Sequence, residues 1–166
     1  MLLRPAALLL ACALLPAPPT VTPAAEAFER LKALAGQWTG TGADGTTSNY
    51  TYEVVASDSA LLERCEMPHD GVPVTMLTLF TLDGSRLLLT HYCMAGNQPR
   101  MQAQEMVGDT IAFEFLDATG LDTPDEGHMH RATFHFDGPD RFTTQWTFRA
   151  GDKDVFSESE TCTRDR

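Results

Sequence analysis

The sequence predicts an all-β protein: a single antiparallel up-and-down barrel of about ten strands, with one short N-terminal helix, after a signal peptide. Three observations carry this expectation. Beyond Gly36 no segment keeps a helical period; short runs of alternating apolar and polar residues recur instead; and Gly, Asp, Asn, Ser or Pro clusters punctuate them. With no helical crossover between the runs, neighbouring strands are expected to pair antiparallel. The chain has 166 residues, enough for one domain with a substantial core once the leader is set aside.

The leader opens on the short basic start Met1-Leu2-Leu3-Arg4 and continues into the apolar stretch Ala6 to Leu15. That stretch is too short to span a bilayer as a helix and runs into the small, proline-rich segment Pro16 to Ala25, the composition at which export peptidases cut. Residues 1–24 are therefore read as a signal peptide and residues 25–166 as the barrel domain, giving an exported, periplasmic or extracellular protein. Leu9-Leu10-Ala11-Cys12 loosely resembles a lipoprotein box, in which Cys12 would be acylated. Against this, Ala13-Leu14-Leu15 carries the apolar run past Cys12, which makes the cysteine one more small residue of the signal. No later stretch is long and apolar enough for a membrane-spanning helix.

The helix follows from its punctuation. Thr22 caps it, Pro23 suits its first turn, Phe28, Leu31, Leu34 and Ala35 fall on one face, and Gly36 ends it. The expected strands are then Trp38 to Thr41, Asn49 to Ala56, Leu61 to Met67, Pro73 to Leu82, Arg86 to Met94, Met101 to Met106, Thr110 to Leu116, Gly127 to Phe136, Arg141 to Arg149 and Val155 to Arg164. Asp83-Gly84-Ser85 and Val107-Gly108-Asp109 read as tight hairpins, and residues 118–126 as a longer acidic loop. Phe142, Thr144, Trp146 and Phe148 share one face of their strand, and Ile111, Phe113 and Phe115 one face of theirs; these sets should point inward.

The run Gly36-Gln37-Trp38-Thr39-Gly40-Thr41-Gly42, with a short helix before it and a strand meander after it, resembles the calycin superfamily, and more closely nitrobindin-like and bacterial lipocalin-like domains. The resemblance implies that Trp38 plugs one end of the barrel and that an arginine of the last strand covers it. Alternation from Phe156 through Glu158, Glu160 and Cys162 makes Arg164 that arginine, in a cation–π contact. Nitrobindin-like barrels bind haem through a histidine near the C-terminal end, and here neither of the last two strands contains one. A second run, Thr90 to Arg100, looks like a signature of exported lipocalin-like domains and gathers histidine, tyrosine, thiol, amide and arginine around one turn.

A formal charge of −11 excludes the basic face that a nucleic-acid or anionic-membrane partner requires. Cys65, Cys93 and Cys162 lie beyond the leader; in an oxidising compartment they allow one bridge in any of three pairings, plus one free thiol.

Candidate chemistry centres on two pairs. His91 and Cys93 continue the face of Leu87 and Leu89, while strict alternation puts His128 and His130 on the face of Ala132, Phe134 and Phe136. All four should then enter the barrel, and His91, His128 and His130 are candidate ligands for a transition metal or haem iron. Nucleophilic catalysis by Cys93 would need another histidine as base, because side chains two apart on a strand stand about 6 to 7 Å from each other. The acidic loop offers oxygen ligands but lacks the spacing of a calcium-binding hand. Glu63, Glu66 and Glu114 read as isolated carboxylates, and the methionines suit an adaptable apolar interior.

The sequence thus favours a binding module for a small, mainly hydrophobic molecule over an enzyme. Trp38, His91, Cys93, Met94, His128, His130 and Trp146 are expected to line or close its cavity, with Gln98 and Arg100 at its mouth. The alternative is a metal- or haem-binding protein built on the three histidines, and a third is a packed barrel that meets a protein partner through its surface.

Overall fold

The computed structural model describes residues 21–166; residues 1–20 of the expected leader, Cys12 among them, lie outside these. Helix α1 spans Pro23–Lys32, so the folded unit takes in Pro23 and Ala24 as well as residues 25–166. The Thr22 hydroxyl accepts the Ala25 N–H at 3.2 Å, satisfying one of the donors left open at a helix start. Ala27, Phe28 and Leu31 are buried, and Leu34 follows them into the core from the turn beyond the helix. Ala35 is exposed rather than on the buried face, because helical geometry ends at the Ala33 cap and the chain swings into the first strand.

Ten strands follow: β1 Gly36–Gly42, β2 Thr47–Val55, β3 Ala60–His69, β4 Val72–Asp83, β5 Arg86–Tyr92, β6 Gln98–Ala103, β7 Thr110–Thr119, β8 His128–Gly138, β9 Arg141–Ala150 and β10 Lys153–Arg164. Each pairs antiparallel with its sequence neighbours, and β10 returns to pair with β1, closing the barrel. β6 is displaced from the expected Met101 to Met106. The turn after β5 closes tightly through Cys93 N–H to Asn97 O and Gly96 N–H to Cys93 O, so pairing resumes at Gln98.

Helix α1 and the tight β2–β3, β4–β5 and β8–β9 turns lie at one end, and the layers nearest it are solid. Phe80, Phe113, Phe134, Phe142, Leu61, Leu87, Leu89, Met101 and Ile111 have essentially no exposed surface, and Phe80, Phe113 and Phe134 meet at centroid distances of 5.6 to 6.0 Å. Trp38 is fully buried there, its indole N–H donating to Leu34 O at 2.7 Å and its ring meeting Phe142 edge-on at 4.9 Å. The Arg164 guanidinium lies 4.2 Å from the Trp38 ring centroid and donates to Ala33 O and Ala35 O at 2.9 Å. It therefore covers Trp38, as expected from the sequence, and also ties the last strand to the end of α1.

Candidate functional site

At the opposite end the core gives way to space. An inner chamber of about 60 Å³ is walled by Tyr50, Glu63, Cys65, His91, Thr144, Trp146 and Glu160, with Met67, Met76, Met129 and Glu158 toward its opening. Those last four residues also border a wider vestibule of about 260 Å³, completed by His69, Cys93, Met94, Ala95, Phe148 and Phe156. The pattern follows from strand periodicity: every second residue of a strand points inward, and at this level the inward positions carry polar and flexible side chains instead of phenylalanine.

Two hydrogen-bonded groups form the chamber wall. Glu63, only 3 % exposed, accepts the Tyr52 hydroxyl at 2.6 Å and the Thr78 hydroxyl at 2.9 Å. The Thr78 oxygen in turn stands 3.0 Å from His91 Nδ1. On the other side Glu160 accepts the Ser48 hydroxyl at 2.7 Å and the Tyr50 hydroxyl. Gly40 makes room for that second bond: a Cβ there would stand 2.7 Å from the Tyr50 ring and 2.8 Å from Glu160 Oε2. The second glycine of the G-x-W-x-G-x-G run thus belongs to the chamber, while its tryptophan belongs to the closed end.

Burial sets the protonation states. It pushes the Glu63 carboxyl up to about 7, with the Glu160 charge adding to the shift and the Tyr52 and Thr78 hydrogen bonds opposing it. Burial also drives His91 down to about 4, so its imidazole is neutral at ordinary pH. The Tyr50 and Tyr52 phenols are pushed well up by burial and remain hydrogen-bond donors. Two buried polar atoms at the chamber wall, His91 Nε2 and Thr144 Oγ1, have no partner among the described residues.

His91 and Trp146 stand where the sequence placed them, in the chamber, with ring centroids 4.7 Å apart. Cys93 and Met94 line the vestibule. Trp38 lines neither space; it packs at the closed end of the barrel. Gln98 and Arg100 also stand outside both spaces. Gln98 is bonded to Gly96 O and the Thr119 hydroxyl beside the β5–β6 turn, and Arg100 is exposed and paired with Asp117 on the outer surface.

His128 and His130 correct the alternation argument. The β8–β9 register shifts between Met129 and Arg131, leaving His130 as an extra residue. Phe148, on the inner face of β9, is therefore opposite Met129, and it is Met129 that borders the cavities. His128 and His130 contact each other at 3.2 Å and pack on Phe115, with centroids 4.4 and 5.0 Å away. They do not join His91, and among the described residues no three His, Cys, Asp or Glu side chains are grouped to hold a metal ion. Haem does not fit the chamber either: about 60 Å³ is far below the roughly 300 Å³ at which pockets for drug-sized molecules begin.

The three cysteines of the barrel are unbridged. Burial raises the Cys93 thiol, the reverse of what an activated nucleophile needs, and pushes Cys65 up to about 12. Glu63 is not an isolated carboxylate: β3 and β10 bring it and Glu160 to the same chamber. Tyr50, Tyr52, Thr78 and Glu160 complete the site without having been singled out. Their signal lay in the period-2 sets Ser48-Tyr50-Tyr52 and Leu61-Glu63-Cys65, which put polar groups on faces that are otherwise buried.

The barrel is similar to the crystal structure of Rv2717c from M. tuberculosis, with a TM-score of 0.59 and 19% identity over 89% of this chain and 100% of that one. At that identity the likeness supports the fold alone. A redesigned β-barrel, b11L5F_LGL, gives a TM-score of 0.40 at 14% identity over 81% of this chain and 92% of its own. EF1p2_mFAP2b bound to DFHBI gives the same two values over 83% and 98%. No family model matches the chain, and no curated protein matches it. Among the described residues no helix is long and apolar enough to cross a membrane.

Proposed function

We propose that this chain is an exported, calycin-like binding module that holds a small, mainly hydrophobic molecule, its apolar part in the vestibule and its polar end in the inner chamber. One observation carries the reading: His91, 4 % exposed, and Thr144, 2 % exposed, keep Nε2 and Oγ1 unpartnered at the wall of a space that opens to the outside. Both atoms face the chamber, so a ligand seated there can hydrogen-bond to them. The methionines Met67, Met76, Met94 and Met129 give the vestibule an adaptable apolar lining beside Phe148 and Phe156. Export follows from the composition of residues 1–24, whose basic start and apolar run read as a signal peptide.

Native mass spectrometry of the protein purified from its own host, with an absorption spectrum of the same sample, tests the reading. The expected result is one small organic molecule per chain with no haem band. A protein that carries no adduct and takes up no apolar probe would overturn it.

A further inference from the structure

Resting on that reading and sharpening it, we propose that the inner chamber receives the ammonium group of a small primary amine whose hydrocarbon part lies in the vestibule.

With Glu63 ionised, the single proton of the Thr78 hydroxyl goes to Glu63 Oε1, so the Thr78 oxygen accepts from His91 Nδ1–H. That fixes the imidazole tautomer and leaves His91 Nε2 as a bare lone pair, buried and unpartnered. The carboxylates of Glu63 and Glu160 take protons from Tyr52, Thr78, Ser48 and Tyr50 and keep further acceptor capacity of their own. Thr144 Oγ1, likewise without a partner, has lone pairs that can accept as well as a proton to give. The chamber thus asks for a ligand that gives hydrogen bonds.

Charge makes the same demand. Glu63, Glu158 and Glu160 all border the chamber, no Lys or Arg lines it, and neither Glu63 nor Glu160 has an ion-pair partner among the described residues. An anionic group is repelled there. A metal ion lacks three suitably grouped ligands, whereas an ammonium binds through its N–H donors, with the aromatic rings of Trp146 and Tyr50 in the chamber wall. The volume agrees: about 60 Å³ is several times the ~10–15 Å³ that one water needs, enough for an ammonium and its first carbons.

The site should also respond to pH. The titratable groups around Glu63 are Tyr50 and Tyr52 from β2, Cys65 on β3 itself, His91 from β5, and Glu158, Glu160 and Cys162 from β10; β4 contributes only Thr78 and Met76. Of these, Glu63 itself changes charge near pH 7. Protonating it removes one of the charges that attract the amine.

Calorimetric titration of the full chain with n-hexylamine, n-hexanol and n-hexanoate, at about pH 8 and about pH 5.5, tests this, with uptake of the neutral dye Nile red as a parallel measure of apolar binding. Hexylamine should bind at least about tenfold more tightly than hexanol at the higher pH, hexanoate should not bind, and the amine preference should shrink at the lower pH. Glu63→Gln and Glu160→Gln should each weaken hexylamine by about tenfold and leave hexanol unchanged, with circular dichroism confirming the fold. If one variant does not fold, the other and the wild-type pH series decide. Hexanol or hexanoate binding as tightly as hexylamine would overturn the ammonium assignment while leaving the binding module standing. If none of the three binds and Nile red is not taken up, both readings fall.

Discussion

Thr78 couples Glu63 to His91: its hydroxyl oxygen stands 2.9 Å from Glu63 Oε1 and 3.0 Å from His91 Nδ1, and all three residues are buried. Thr78→Val keeps the shape and removes the link, leaving two buried polar atoms unpaired. The variant should lose about 1–3 kcal/mol of stability in urea denaturation. Because the Thr78 bond lowers the Glu63 titration, its removal should also move that titration further up in a carboxyl NMR series. Wild-type stability in this variant would show that the link does not hold the chamber together.

The same pair predicts two opposed pH dependences. Glu63 titrates near 4.5 in the unfolded chain and at about 7 in the fold, so its contribution is fully present below 4.5 and is lost as pH rises to about 7. His91 titrates near 6.5 unfolded and at about 4 folded, so its contribution is present above 6.5 and is lost as pH falls to about 4. Each shift corresponds to roughly 3 kcal/mol, and between about 4.5 and 6.5 they nearly cancel. Relative to wild type, Glu63→Gln should grow more stable as pH rises through that window, and His91→Gln less stable. Parallel profiles for the two variants would contradict the assignment.

Arg164 is expected to act on stability alone. Arg164→Met removes the guanidinium from the Trp38 ring and from Ala33 O and Ala35 O. The expected loss is about 2 kcal/mol, with Arg164→Lys restoring little because an ammonium cannot reproduce the fork. Trp38 and the mouth lie at opposite ends of β1, so probe affinity should change less than about twofold. A large affinity change would place the ligand at the wrong end of the barrel.

The thiols report the vestibule. Cys93 borders it and is partly exposed, whereas Cys65 and Cys162 are buried. A disulfide reagent, with the labelled sites mapped by peptide mass, should modify Cys93 slowly and reach Cys65 and Cys162 only on unfolding. Nile red bound in the vestibule should slow the Cys93 reaction further. Equal labelling of all three cysteines in the folded protein would refute the burial described here.

The architecture was legible because its signals are local. Period-2 patterning and turn residues place all ten strands to within a few residues, and alternation along β10 leads from Phe156 to Arg164 over Trp38. His91, Cys93 and Trp146 were legible for the same reason, each continuing a face already marked by buried neighbours, and Met94 follows Cys93 in the turn beyond β5. His128 and His130 were misread because one extra residue reverses every face beyond it, and no glycine or proline in His128-Met129-His130-Arg131 marks the bulge. The partnership of Glu63 with Glu160 was not legible at all, since β3 and β10 meet across β1 and β2 only when the barrel closes.

In the proposed binding mode the apolar part of the ligand lies in the vestibule against Met129, where the vestibule meets the chamber. Nile red titration of wild type against Met129→Trp, which fills the passage between vestibule and chamber, tests it most directly. Wild type should bind one dye per chain, Met129→Trp should lose at least about tenfold in affinity while keeping its circular dichroism, and a His128→Ala/His130→Ala variant should bind as wild type does. Undiminished binding by Met129→Trp would place the dye away from Met129 and the vestibule it borders, and would contradict the proposed binding mode.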